Sequence, residues 1–340
     1  MRAEPPRSKS DFFLGSMETL SDLLRRMADL QILVIGDVML DRYISGEVFR
    51  LSPEAPVPVI AVEDERHVLG GAANVAHNLS ALGIRTKIWG TWGRDASGLL
   101  LENLLQEAQI DPVDGSAIPG IQTILKTRIV ARQQQLCRLD REEAPERYRK
   151  DFGQVLTIAL LEKILAEVDA VILSDYAKGV IDQPCVDFVA NCARKGQKIL
   201  AWDPKPKHAL RFPYLTLMTP NRAEAFALAG EPEEHRQFPA ERISQKIFQC
   251  YHPEYLLITL GEEGMLLSRQ GELISRIPTC AQEVFDVSGA GDTVVTFLTA
   301  ALAAKASPEE AIHLANRAAG LVVAKRGTAV VTPEELRGSF

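Results

Sequence analysis

Short apolar runs recur along the chain, each followed by a stretch with the period of a helix. The first, at 31–35, ends at Gly36 and Asp37, which predicts a buried strand that delivers a carboxylate at its carboxyl end. Similar runs occupy 86–90, 170–174, 198–202, 215–218 and 255–259, and segments with helical spacing such as 72–82 and 96–108 lie between them. That alternation predicts an α/β fold in three layers, α/β/α, with a mostly parallel central sheet covered on both faces.

Two segments break the alternation. At 43–68 and 123–139 the pattern is extended and alternating, with Pro53, Pro56 and Pro58 in place of a helix, which predicts a small β-lid. Ligands of open α/β sheets bind beyond the carboxyl ends of the strands, so a lid placed there would close over a substrate and exclude water. Residues 1–30 read as a polar leader and 31–335 as one domain. The charged stretch 141–151 reads as the opening of a helix running toward Val168.

Composition narrows the function classes. The chain has 340 residues, 46% hydrophobic and 24% charged, which is ordinary for a globular protein and excludes fibrous or low-complexity readings. A net charge of -7 without a long block of Lys and Arg argues against nucleic acid as a partner. Five cysteines, Cys137, Cys185, Cys192, Cys250 and Cys280, contain no C-x-x-C pair; reduced thiols in a cytoplasmic protein fit this better than a disulfide framework or a zinc site. Arg2, Arg7 and Lys9 precede no apolar run before Asp11, so no signal peptide is expected, and the apolar stretch 293–306 is too short to cross a bilayer.

The sharpest chemical signal is Phe285-Asp286-Val287-Ser288-Gly289-Ala290-Gly291-Asp292-Thr293, immediately before an apolar helical run. A glycine-rich turn feeding a helix can aim several backbone NH groups at one anion, and the helix dipole adds positive potential there. Gly289, Ala290 and Gly291 would form that anion hole, and Asp292 in the first turn could take the proton from an attacking hydroxyl during phosphoryl transfer. Glycines that merely permit a tight turn, with Asp292 as a helix cap, would explain a bare G-x-G; two acids bracketing the glycines are a rarer pattern.

This stretch resembles the C-terminal signature D-T-x-G-A-G-D of the ribokinase (PfkB) family of carbohydrate kinases. The resemblance extends from about residue 31 to 332 and implies a ribokinase-like fold, ATP with Mg²⁺, and Asp292 as catalytic base. Val287 stands where the family commonly has threonine, which leaves open whether a monovalent cation is supported there. Gly70-Gly71-Ala72-Ala73-Asn74 is similar to the family's N-terminal signature of paired glycines and an asparagine at a helix start: Gly70 and Gly71 would let a ligand approach the backbone, and Asn74 would bind sugar hydroxyls. Asp37 and Asp41, spaced G-D-x-x-x-D, look like further sugar-hydroxyl acceptors if the turn after the first strand curls helically; an Asx turn or cap is the plainer alternative.

On the nucleotide side, Asn221, Arg222, Ala223 and Glu224 match the family's N-x-x-E motif. The resemblance implies that Glu224 acts on Mg²⁺ through water, while Asn followed by Glu three residues later is also a capping box, and both can hold. Thr259, Gly261 and Gly264 resemble the T-x-G-x-x-G loop beside the nucleotide. Asn316 matches a position near adenine in relatives, with a solvated helix residue as the alternative.

Three stretches outside these signatures, 50–59, 174–179 and 203–205, resemble D-glycero-D-manno-heptose-7-phosphate kinases, which phosphorylate the anomeric hydroxyl on the route to ADP-heptose and lipopolysaccharide. A phosphorylated acceptor needs cations, and Lys178, Lys205, Arg128 and Arg138 lie on segments expected near the site, beside Asp203; each alone is as readily a surface charge. In many such kinases a nucleotidyltransferase domain follows, so a monofunctional kinase and the kinase part of a longer protein both remain open. The resemblance also implies a homodimer paired through its lids. A kinase for another sugar or nucleoside, and a sensor that kept the fold without the chemistry, are the competing readings.

Overall fold

A computed structural model describes residues 17–339 except 133, 151–154, 208, 209, 234–236, 282 and 326. In chain order the strands are β1 Gln31–Gly36, β2 Val38–Leu51, β3 Pro58–Gly71, β4 Arg85–Trp89, β5 Trp92–Gly93, β6 Ile110–Pro112, β7 Ala117–Ile118, β8 Leu125–Ala131, β9 Gln134–Arg141, β10 Ala170–Ser174, β11 Ile199–Asp203, β12 Leu217–Met218, β13 Tyr255–Thr259, β14 Met265–Arg269 and β15 Glu272–Ile277. The helices are α1 Met17–Ala28, α2 Ala72–Ala81, α3 Ala96–Glu107, α4 Val155–Glu167, α5 Gln183–Lys195, α6 Arg222–Leu228, α7 Ala240–Tyr251, α8 Ala290–Ala303, α9 Pro308–Val322 and α10 Pro333–Gly338.

Nine strands form one sheet in the order β15-β14-β13-β12-β11-β10-β1-β4-β6, parallel from β13 through β6 and antiparallel where β14 and β15 join the edge. Its central strands are buried on both faces: β1 has every residue after Gln31 buried and β10 is buried throughout, as expected of a sheet covered by helices. One apolar core joins α1, α2, α8 and α9 to one face, and a second joins α4, α5, α6 and α7 to the other. The three layers expected from the alternation are present.

The interrupting segments form a separate four-stranded sheet, β3-β2-β8-β9. Its strands lie within 38–71 and 125–141, so the first segment is longer than the 43–68 read from sequence and the second is shifted by two residues from 123–139. The difference matters for Asp41, because β2 starts directly after Asp37 and the backbone there is extended rather than helically curled. Strand pairing with β3 and β8 overrides any local turn tendency.

The leader reading of residues 1–30 is also corrected. Residues 1–16 lie outside the described residues, but α1 is a helix whose Leu20, Leu23, Leu24 and Met27 are buried in the first core. Their spacing, i, i+3, i+4, i+7, is the signature of an amphipathic helix with one face on a core. The charged stretch 141–151 contains a short 3-10 turn at Pro145–Arg147, and its last residue lies outside the described residues.

Candidate active site

The N-terminus of α8 sits where the carboxyl ends of β1, β10 and β11 meet the base of the small sheet. Gly289 is the N-cap and adopts φ 81°, a left-handed conformation that costs other residues about 1–2 kcal/mol. The space is as demanding as the angle, since a Cβ there would stand 2.9 Å from Asn74 Nδ2. Asp286 shapes the approach: its carboxylate accepts from the backbone NH of Ser288 at 2.9 Å and of Gly327 at 3.0 Å. The first NH groups of a helix have no intrahelical acceptor, so this turn presents donors to whatever lies beyond it.

Asp292, one turn into α8, is 5% exposed and held from two sides. Asn74 Nδ2 donates to Oδ2 at 2.6 Å and the Tyr176 hydroxyl donates to Oδ1 at 2.7 Å. Burial raises its pKa to about 6, the two hydrogen bonds and Lys126 pull it down, and the charge of Asp41 pushes it further up. The result is a carboxylate ionised at neutral pH yet basic enough to accept a proton, which is the compromise a general base requires. Burial raises Tyr176 well above an ordinary phenol, with the charge of Asp292 second, so this hydroxyl stays a donor. Tyr176 carried no assigned role in the sequence; its place just after Ser174, at the carboxyl end of β10, was the available signal.

The residues expected on the sugar side come together in the structure. Gly71, φ 56°, caps α2, and a Cβ on it would stand 2.5 Å from Asp37 O; one on Gly70 would stand 2.8 Å from Asp41 Oδ2. The paired glycines therefore let β3 close against both aspartates. Asp37 is fully buried, and its carboxylate accepts from the NH groups of Tyr176 and Lys178 at 2.9 Å and of Val180 at 3.0 Å. Its pKa also rises to about 6, burial outweighing those donors. Asp37 thus anchors the loop that carries Tyr176, its carboxylate taken up by three backbone NH groups. Asp41 lies 2.8 Å from Arg128 in an ion pair almost closed to solvent.

Toward β11 the acids accumulate. Asp203 takes a hydrogen bond from Thr219 at 3.0 Å, and its pKa is held well above the carboxylate range by burial and then by the charges of Asp292 and Glu224. Asn221 and Glu224 form the capping box of α6, with Asn221 Oδ1 accepting from Glu224 NH and Glu224 Oε2 accepting from Asn221 NH, both at 3.0 Å. Glu224 Oε1 meets Lys205 at 2.9 Å. Among the described residues no three His, Cys, Asp or Glu groups are arranged to hold a metal ion. Magnesium carried by nucleotide phosphates and water needs no such cage, and a region where Asp203, Glu224 and Asp292 repel one another is short of the charge it would bring.

The other nucleotide-side residues frame this region. Ala223 is exposed on the first turn of α6, and Arg222 pairs with Glu263 at 2.9 Å while stacking over Phe226 and Phe238. Thr259 bridges to Asn221 in parallel, which ties the end of β13 to the start of α6. Gly261 and Gly264 have φ 60° and 86°, and a Cβ on Gly264 would strike Ile277 O at 2.0 Å. Asn316 is not a solvated helix residue: it is buried on α9 and donates to Pro278 O at 2.8 Å and Cys280 Sγ at 3.1 Å.

A buried acid at a helix N-terminus, steadied by a GG-x-x-N asparagine, is matched by comparison with known sequences: residues 29–335 fit the family described as pfkB family carbohydrate kinase. The chain belongs to this family. The kinase is 42% identical over 312 residues to the "Bifunctional protein HldE" of Magnetococcus marinus, covering 91% of this chain and 63% of that protein. It is 43% identical over 325 residues to the protein of the same name from Caulobacter sp. strain K31, covering 94% and 65%. The kinase thus spans under two thirds of the length of these relatives. Its fold is similar to that of Arabidopsis thaliana ribokinase, solved with ribose and ATP, at TM-score 0.70 and 21% identity over 91% of this chain and 98% of that one. It is similar also to Escherichia coli phosphofructokinase-2, at TM-score 0.70 and 17% identity over 91% and 97%.

Proposed function

We propose that this kinase transfers the γ-phosphoryl group of MgATP to the anomeric hydroxyl of D-glycero-D-manno-heptose 7-phosphate, giving the 1,7-bisphosphate. Asp292 carries the reading, buried at the positive end of α8 with both oxygens fixed by Asn74 and Tyr176. In the in-line step the sugar oxygen forms a bond to γ-phosphorus, the bond from γ-phosphorus to the β,γ-bridging oxygen breaks, ADP departs, and the hydroxyl proton passes to Asp292. The turn at Gly289, Ala290 and Gly291 supplies donors to the migrating group. Glu224 would reach the hydration shell of magnesium, whose charge would offset that of the phosphates.

The heptose assignment is supported by the stretches 50–59, 174–179 and 203–205 and by the relatives named HldE. Five free cysteines and ATP as donor support a cytoplasmic enzyme. A homodimer is supported by the small sheet, on which Phe49, Leu51, Val62, Leu136 and Leu139 are exposed.

The test is ADP release with MgATP and a panel holding heptose 7-phosphate, fructose 6-phosphate, ribose and a nucleoside. The heptose phosphate is expected to give the highest kcat/KM, and Asp292→Asn to bind ATP while losing roughly 10²- to 10⁴-fold in kcat. Preference for another acceptor would overturn the substrate, and near-normal turnover by the variant would overturn the base. Binding without turnover by the unaltered protein would make it a sensor.

A further inference from the structure

Four of the cations expected near the site are already matched by carboxylates. Arg128 lies 2.8 Å from Asp41, Arg138 forks onto Asp140 at 2.8 and 2.9 Å, Lys178 lies 2.6 Å from Glu142, and Lys205 lies 2.9 Å from Glu224. A fifth cation, Lys126, forms no ion pair among the described residues. It occupies the middle of the small sheet, level with Asp41 on β2 and Asp140 on β9, both of which are engaged elsewhere. Its ammonium stands 5.4 Å from the centre of the Tyr176 ring, whose hydroxyl holds Asp292.

A partly buried ammonium with an aromatic face on one side and no counter-ion has given up water without full replacement. Its pKa falls below that of an ordinary lysine because burial, aided by the charges of Lys178 and Arg138, outweighs the pull of Asp41 and Asp140. The site is therefore short of one negative charge at this point. The groups that act on Lys126 belong to the small sheet, to the loop carrying Tyr176 and Lys178, and to Asp292 on α8, none of them to α6 or the Thr259–Gly264 loop, which points to an anion on the acceptor side of Asp292.

We propose that Lys126 binds the phosphate that the sugar acceptor already carries, and so selects a sugar phosphate over the free sugar. This rests on the acceptor class proposed above and adds the residue that recognises it. An ammonium is a compact charge on a flexible stem, suited to meet a phosphate that arrives as the small sheet closes.

The experiment measures kcat and KM for heptose 7-phosphate and for unphosphorylated heptose, and KM for MgATP, in the unaltered protein and in Lys126→Met, Lys126→Gln and Lys126→Arg. The unaltered protein is expected to prefer the phosphorylated sugar. The Met and Gln variants, assayed at about pH 8 where Asp292 is ionised with or without the Lys126 charge, are expected to lose roughly 10- to 100-fold of that preference, mainly through KM for the phosphorylated sugar, with KM for MgATP unchanged and kcat/KM for free heptose changed far less than for the phosphorylated sugar. Lys126→Arg is expected to recover part of the loss. If the unaltered protein prefers the phosphorylated sugar and the neutral variants keep that preference, the role of Lys126 is wrong and the acceptor class stands. No preference in the unaltered protein removes both. A rise confined to KM for MgATP would assign Lys126 to the nucleotide instead and overturn the proposal.

Discussion

At the scale of single residues, the chemistry turns on how Asp292 balances burial against two donors. Its pKa of about 6 means that the proton-accepting form predominates above that pH, so kcat/KM is expected to be flat toward alkaline pH and to fall about tenfold per unit below about pH 6. Tyr176→Phe removes one of the hydrogen bonds that favours the ionised form, so the acid limb of the profile should move to higher pH while the fold is kept. A limb that stays in place would show that the titrating group is not Asp292. Asp37 shows the opposite use of a carboxylate. It read as a sugar ligand because it ends a strand at the mouth of the sheet, yet its oxygens hold the loop bearing Tyr176, and only the positions of 176, 178 and 180 reveal this.

Elements explain why two glycines so near in sequence have different duties. Gly289→Ala is expected to lower stability by roughly 1–2 kcal/mol from the left-handed φ alone, and to displace Asn74 and with it the carboxylate of Asp292. Gly291 lies inside α8, where an added Cβ meets nothing within 4 Å, and alanine is the better helix former by about 1 kcal/mol. Gly291→Ala should therefore melt no lower than the unaltered protein. If the phosphoryl group lies against this turn, that variant should still lose turnover; unchanged kcat would place the phosphate elsewhere. Thermal melts and steady-state rates on the two variants separate a conformational glycine from one whose missing side chain leaves room for a ligand. The capping box of α6 was legible because Asn and Glu three apart act within one turn. The helix α1 was equally legible in its apolar spacing but was masked by the polar residues before it.

The whole molecule adds what neither residues nor elements contain: a second sheet standing off the nine-stranded one, with Phe49 75% and Leu139 58% exposed. If these apolar residues are covered by a second copy, light scattering should give about twice the 37.4 kDa chain mass, and Phe49→Ser with Leu139→Ser should shift it to monomer. A monomeric unaltered protein would refute that arrangement. Alternation of strand and helix, the glycine turns and the acid at 292 could be read directly, because period, backbone angle and helix position are local properties. Which acid is held by side-chain donors, which anchors a loop and which cation forms no ion pair among the described residues could not, because these depend on contacts between residues distant in the chain. Asn74 and Tyr176 reach Asp292 across 218 and 116 positions, and Lys126 is distinguished only because its neighbours chose other partners. Sequence determined the layers and the glycine-rich turn before α8; burial and pairing in three dimensions decided the electrostatics of the groups around it.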